Sequence, residues 1–349
     1  MVGRWVFAVA LTMAMAGAAR AEPGAAYIDA HAHLFGDVGR GETDYPGAVE
    51  LAVRTMDALG IRKTLVMPPP FAPSHPQSYD VETLNRAIAK HPDRFAVLGG
   101  GGTLNPMLAA AAGSTTVDDA LKARFTEAAH AVLDQGAVGF GEMMAEHFSM
   151  GPDHPYLSAP ADHPLLLLLA DIAALRDAPI DIHMEAIEHE AGPPEGRYRS
   201  PPNPSRLTPN IEAFERLLAH NPKARIVWAH LGWDNTGQRT PDLTRRLLAK
   251  HPNLYVHFKM GGDSLPVNQP LVKGQGLGAE WLELIKEFPD RFMIGSDQFF
   301  VTPRAQKRFP QHTKPMRMLM NQLPPDLARR VGVENVRRVY TLGDEDAPS

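Results

Sequence analysis

Cysteine is missing altogether from the 349 residues. Disulfides, Cys-bound zinc, iron–sulfur clusters and thiol nucleophiles are excluded together, and any metal must rest on His, Asp or Glu. Charge of one sign is also lacking. Lys and Arg number 35 against 40 Asp and Glu, a net charge of −5, and no basic run is long enough to track a phosphate backbone. Nucleic acid is therefore disfavoured as the main partner, and a small-molecule substrate is expected. No apolar run reaches the roughly 20 residues that span a bilayer. The longest, Trp5 to Ala18, follows Arg4 and leads into Ala19-Arg20-Ala21, the pattern of a cleaved secretory leader. Residues 1–21 read as a signal peptide and 22–349 as a mature periplasmic or secreted protein. The absence of cysteine at the cleavage point rules out lipid attachment there. What remains is ordinary for a globular chain, with 44% hydrophobic residues and a mean hydropathy of −0.23. The exception is histidine, at 15 residues.

Eight short apolar or β-branched runs punctuate the mature chain: Ala26 to Ala30, Lys63 to Met67, Arg94 to Leu98, Ala137 to Gly141, Pro179 to Ile182, Arg225 to Trp228, Leu254 to Phe258 and Arg291 to Ile294. Segments of helical periodicity lie between them, such as Ala48 to Leu59, Ala120 to Leu133 and Leu243 to Lys250. This alternation predicts a parallel α/β fold. Helix-to-strand connections are short and repeat a proline stop, as in Lys90-His91-Pro92, Asn221-Pro222, Lys250-His251-Pro252 and Phe288-Pro289. Strand-to-helix connections are long, for instance 186–209 and 261–278. Length gathered at one end of the sheet favours a single eight-stranded β/α barrel over a doubly wound sheet, with a helical tail over Pro324 to Leu342.

Chemistry collects where the strands end. The first run closes on Asp29-Ala30-His31-Ala32-His33, and period two puts both histidines on one side. The fourth closes on Glu142, the fifth on His183, the sixth on His230 and the eighth on Asp297. Singly, each has a plain reading: a buried hydrogen-bonded imidazole, or a helix cap for Glu142 or Asp297. Jointly, four imidazoles and two carboxylates at the face where barrel enzymes work predict a metal site for zinc first, with iron, manganese or nickel compatible.

On these residues the sequence resembles the amidohydrolase superfamily, specifically its amidohydrolase-related branch. The resemblance spans nearly the whole mature chain, from Tyr27-Ile28-Asp29-Ala30-His31-Ala32-His33 through Gly139-Phe140-Gly141-Glu142, Ile182-His183, Trp228-Ala229-His230-Leu231-Gly232 and Ile294-Gly295-Ser296-Asp297 to a closing helix at Val333 to Tyr340. It implies a distorted barrel with one or two divalent ions. His31, His33 and Asp297 would hold the first, and His183 and His230 the second or the substrate. Glu142 stands where many relatives carry a carboxylated lysine, and could bridge two ions or serve one.

The resulting expectation is a hydrolase in which Asp297 moves the proton and His230 or His183 steadies the developing oxyanion. A metal-dependent decarboxylase, resembling aminocarboxymuconate semialdehyde decarboxylase, and an exported metal-binding protein without turnover are the alternatives. Lys259 and Arg304 are expected to bind an anionic part of the substrate, with an exposed lysine as the plain alternative. Arg197, Arg199 and Lys307 are loop charges of the same kind, and Glu185 is a neighbour of His183. Gly99 to Gly102 lacks the Lys-Ser/Thr of a phosphate loop and reads as backbone passing close to the site. Gly295, one inward step below Asp297, is expected to leave room for water and substrate. His147, His154, His163 and His189 receive no role. The sequence is silent on substrate identity and oligomeric state.

Overall fold

The computed structural model describes residues 24–39, 42–151, 154–195, 202–262, 264–305 and 311–343. The leader 1–21 and the loop charges Arg197, Arg199 and Lys307 lie outside the described residues.

Strands and helices alternate as expected: β1 (Tyr27–Leu34), α1 (Tyr45–Leu59), β2 (Ile61–Val66), α2 (Val81–Ile88), β3 (Phe95–Val97), β4 (Gly99–Gly100), α3 (Leu104–Ala111), α4 (Asp119–Asp134), β5 (Phe140–His147), α5 (Pro164–Leu175), β6 (Ile180–Met184), α6 (Ile211–His220), β7 (Ile226–Leu231), α7 (Pro241–Lys250), β8 (Leu254–Phe258), α8 (Ala279–Glu287), β9 (Phe292–Ile294) and β10 (Gln298–Phe300). A helical tail follows: α9 (Thr313–Met320), α10 (Pro325–Arg329), a π turn (Arg330–Glu334) and α11 (Asn335–Val339). Local chemistry sets the helix starts. Asp44 accepts from Gly47 N at 2.9 Å ahead of α1, Asp118 from Leu121 N at 2.6 Å ahead of α4, and Thr240 from Leu243 N at 3.1 Å ahead of α7. Among the described residues no helix is long and apolar enough to cross a membrane.

The parallel strands run in barrel order but as two sheets, β10-β1-β2-β3 and β9-β8-β7-β6-β5-β4. The third and eighth strand positions are each split in two, so that β3 pairs with β2 while β4 pairs with β5, and β9 pairs with β8 while β10 pairs with β1. The expected continuous cylinder is thus replaced by two curved sheets joined through broken strands. The breaks have local causes: glycine at Gly99 and Gly100 in one, and a backbone turned to φ +53° at Asp297 in the other. The fourth run also differs from expectation. It does not stop at Glu142 but continues to His147, where Leu157–Ser158 pairs with it antiparallel.

Three buried clusters result among the described residues, the smallest being Phe148, Ile187 and Leu207 and the other two framing the strands. The larger lies between sheets and helices. The second lies inside the strands, where Ile28, Ala30, Leu65, Met67, Leu98, Val227, Tyr255 and Met293 meet Val333, Val336, Val339 and Tyr340 of the tail. The tail therefore forms the floor below the strand ends, and Asn335 Nδ2 fixes it by donating to Pro289 O and Phe292 O, both at 2.8 Å.

Candidate metal centre

In three strands a register slip falls at a predicted ligand, between Asp29 and Ala32 in β1, between Phe140 and Met143 in β5 and between Trp228 and Leu231 in β7, while further slips at Tyr27/Ile28 and Met144/Glu146 do not. A bulge re-aims the side chains that follow it. In β1 it lets Ile28 and Ala30 pack inside the strands while His31 and His33 also turn inward above them. In β7 it is accompanied by φ +67° at His230. His230 and Asp297 are both non-glycine residues in the left-handed region, at a cost of order 1–3 kcal/mol each. Such strain persists only where the surroundings impose it.

The six predicted ligands come together, all buried. His33 Nε2 lies 2.9 Å from Asp297 Oδ1 and 3.3 Å from His31 Nε2. Glu142 Oε2 faces this group, 3.5 Å from His33 Nε2 and 3.7 Å from His31 Nε2. The other oxygen of Glu142 faces a second group, with His183 Nδ1 at 2.7 Å and His230 Nε2 at 2.8 Å. Two sets able to hold an ion follow, His31 with His33 and Asp297, and Glu142 with His183 and His230, the ligand atoms of each lying within 4.8 Å of one another. A third set, His31 with His230 and His257, draws on a histidine that sequence reasoning had not singled out as a ligand. The donors are imidazole nitrogens and carboxylate oxygens, which suit first-row divalent ions.

Electrostatics in the cluster run against burial. Desolvation alone would raise Glu142, but the charge of His31 and the contacts with His183 and His230 hold its carboxyl well below the ordinary range. Burial would likewise lower His31, yet the carboxylates of Asp181 and Glu142 raise it well above the usual imidazole value. An ion taking His31 as a ligand must therefore displace a proton. Asp297 is pushed up by burial and pulled further down by the Lys259 ammonium, so it is ionised throughout the neutral range.

Lys259 is buried, not exposed as its plain reading had it. Its Nζ contacts Asp297 Oδ2 and sits 3.4 Å above the centre of the Trp233 ring. Arg304, its expected companion, is exposed and its charge acts on Asp44 at the start of α1. Gly295 does leave space, but the His257 ring occupies it: a Cβ there would stand 2.4 Å from His257 Nδ1. The glycine run from Gly99 to Gly102 passes beside the cluster, Gly100 pairing with Gly141 next to Glu142. Its backbone wraps Asp80, whose carboxylate accepts from Gly100 N, Gly102 N and the Thr103 hydroxyl. The run thus also cradles a carboxylate of the fold's own.

Around the ligands stand residues that orient them. Asp181 is fully buried and meets His31 Nδ1 at 3.1 Å, His257 Nε2 at 3.1 Å and the Tyr340 hydroxyl at 3.2 Å. The Met67 carbonyl holds His33 Nδ1 at 2.8 Å. Asn105 donates to Glu142 O and accepts from Met144 N, bracketing Glu142. Glu185, as expected, neighbours His183 at 3.5 Å and is held by Asn235 at 2.8 Å. Of the histidines given no role, His147 packs on His183 with ring centres 4.5 Å apart, His154 packs on His147, and His163 caps α5.

An amidohydrolase family model matches residues 28–342, the whole span from β1 to the tail. The chain belongs to the amidohydrolase family. No curated protein matches this amidohydrolase in sequence. Among solved structures it is similar to a dihydroxybenzoic acid decarboxylase from Polaromonas sp. JS666 with bound manganese and 2-nitroresorcinol, at 16% identity and a TM-score of 0.54 over 93% of this chain and 99% of that one. A probable 2-pyrone-4,6-dicarboxylic acid hydrolase from Acinetobacter baumannii with citric acid bound is similar at 15% identity and a TM-score of 0.50, over 90% and 99% of the two chains. At these identities the likeness concerns the fold.

One carboxyl near the site titrates in an accessible range. Glu146 accepts from Tyr156 Oη at 2.8 Å and Ser158 Oγ at 2.7 Å, and burial pushes it up to about 6 from 4.5 against those bonds. A raised acid stabilises the fold while protonated, so its contribution is full below pH 4.5 and is lost as pH rises through about 6. Glu146→Gln keeps the contacts and removes the titration. Denaturant unfolding of both proteins at pH 4 and pH 7 should show the variant gaining up to about 2 kcal/mol relative to wild type at the higher pH, and a constant difference would exclude Glu146 as the source.

Proposed function

We propose that this amidohydrolase is an exported metal-dependent hydrolase of a small amide, lactone, ester or phosphoester. The observation that carries the reading is the division of Glu142, one oxygen to His31 and His33 and the other to His183 and His230. A carboxylate so placed can bridge two divalent ions, with zinc first among the candidates. Ions bound there would supply a water of lowered pKa and polarise the oxygen under attack. Ionised Asp297 is the proton acceptor beside that position and returns the proton to the leaving group. Where they do not hold an ion, His230 and His183 steady the negative charge that develops. Lys259, drawn from Asp297 toward an anionic substrate group, would fix its orientation, with Trp233 as the surface beneath.

That same lysine favours a second reading, a decarboxylase in which it holds the substrate carboxylate. Metal-replete mature protein assayed against amide, lactone and phosphoester panels and for carbon dioxide release separates the two. Hydrolytic turnover lost on chelation is expected; carbon dioxide without hydrolysis would establish the decarboxylase, and tight metal binding with neither would leave a binding protein. Export rests on the Trp5 to Ala18 run and its Ala-x-Ala end, and the N-terminal mass of protein from its native compartment decides it.

A further inference from the structure

Arg239 is fully buried and its guanidinium forms no ion pair with a carboxylate among the described residues, an arrangement that a cation rarely tolerates. Its guanidinium instead faces backbone carbonyls. Nη1 donates to Ala229 O at 2.7 Å and His230 O at 2.8 Å, and Nη2 donates to Met184 O. These carbonyls close two adjacent strands, β6 and β7, immediately beside His183 and at His230 itself. Both histidines converge on the same oxygen of Glu142. The His230 carbonyl points toward the guanidinium because its backbone is held at φ +67°, a conformation that a histidine seldom adopts unaided.

The rest of the 232–240 loop delivers the arginine. Asp234 folds the loop by accepting from Thr236 N and Gly237 N, both at 2.9 Å, and from Arg239 N at 3.0 Å, while Asn268 Nδ2 holds the same carboxylate at 2.8 Å. The guanidinium plane then lies over Trp228, 4.5 Å from the ring centre. A planar fork with several donors can tie two strand ends at once, which a lysine cannot do.

We propose that Arg239 is a positioning residue that clamps the ends of β6 and β7, fixing His183 and His230 at the spacing one divalent ion requires. The proposal rests on the two-ion reading of the centre. It concerns only the position built from Glu142, His183 and His230, since the guanidinium touches nothing that holds His31, His33 or Asp297.

The test is titration of metal-free wild type, Arg239→Met and Arg239→Lys with Co2+, followed by visible absorption and by unfolding temperature. One of two Co2+ equivalents should weaken by about 10- to 100-fold in both variants, the other should stay within about threefold, and the absorption bands of the weakened equivalent should change. Loss of stability alone would lower Tm and leave the spectrum of the folded, loaded protein as in wild type. Unchanged affinities and spectrum in a folded variant, or equal weakening of both equivalents, would overturn the proposal. If Arg239→Met does not fold, Arg239→Lys, which retains the charge without the fork, decides by the same readings. A wild type that binds no second equivalent refutes the two-ion reading itself, so the two failures are told apart by which protein shows them.

Discussion

Replacing Asp297 with asparagine should leave metal bound at saturating concentration and reduce turnover by about 100-fold or more, because the group that accepts the proton is gone. The structure adds two consequences that the residue pattern alone did not carry. Lys259 places its ammonium on Asp297 Oδ2 in a buried pair, so Asp297→Asn strands a charge, and breaking such a pair costs about 3–5 kcal/mol. The metal-free variant should be less stable by that order, and a second change, Lys259→Met, should restore stability without restoring turnover. The other consequence is for pH. A carboxyl held below its ordinary value acts as a base above that value and fails as pH falls through it. Any acidic limb due to Asp297 therefore lies below pH 3.8, and a limb nearer neutrality, surviving in Asp297→Asn, belongs to another group. Full turnover in the variant would refute the role, and joint loss of metal and activity would make Asp297 chiefly a ligand.

Glu142→Gln should have the second large effect, on metal content itself. The carboxylate gives one oxygen to each half of the centre, and an amide can offer only one oxygen, uncharged. On the proposed two-ion reading, bound metal after dialysis should fall from two ions to at most one, and turnover by at least about 100-fold, since the loss of ion stabilisation is worth several kcal/mol. Elemental analysis of protein carried through the same dialysis checks this. Two ions retained by Glu142→Gln would show that Glu142 does not bridge, whereas a wild type holding one ion after the same dialysis would return the centre to a single ion held by His31, His33 and Asp297.

The ligands were legible because strand ends carry them and their residue types are specific. Asp181 was within reach of the same reasoning. It stands two before His183 on one strand, hence one layer lower on the same inward face, and His257 bears the same relation to Lys259. Arg239, Asn105 and Trp233 carried no such signal, because they reach the centre from loops and a helix whose path depends on the whole fold. The broken strands and the register slips were invisible for a related reason. A bulge adds one residue without changing composition, so the period-two pattern of β1 and β7 gives no notice that Ile28 and His31, of opposite parity, both turn inward. Gly295 misled because an absent side chain marks space without saying what fills it, and here the occupant comes from β8.

The floor made by the tail sets an order in time. Tyr340 bonds the same Asp181 that holds His31, and it is later in the chain than every ligand. While the polypeptide is being synthesised, all six ligands exist before the hydroxyl that completes the network beneath them and before the Val336 and Val339 side chains that shut water out from below. Metal capture in final geometry thus requires the chain to have been made as far as Tyr340. A nascent segment containing His31 and His33 offers an ion only loose, solvent-exposed imidazoles, and the centre matures only once Tyr340 has joined the fold.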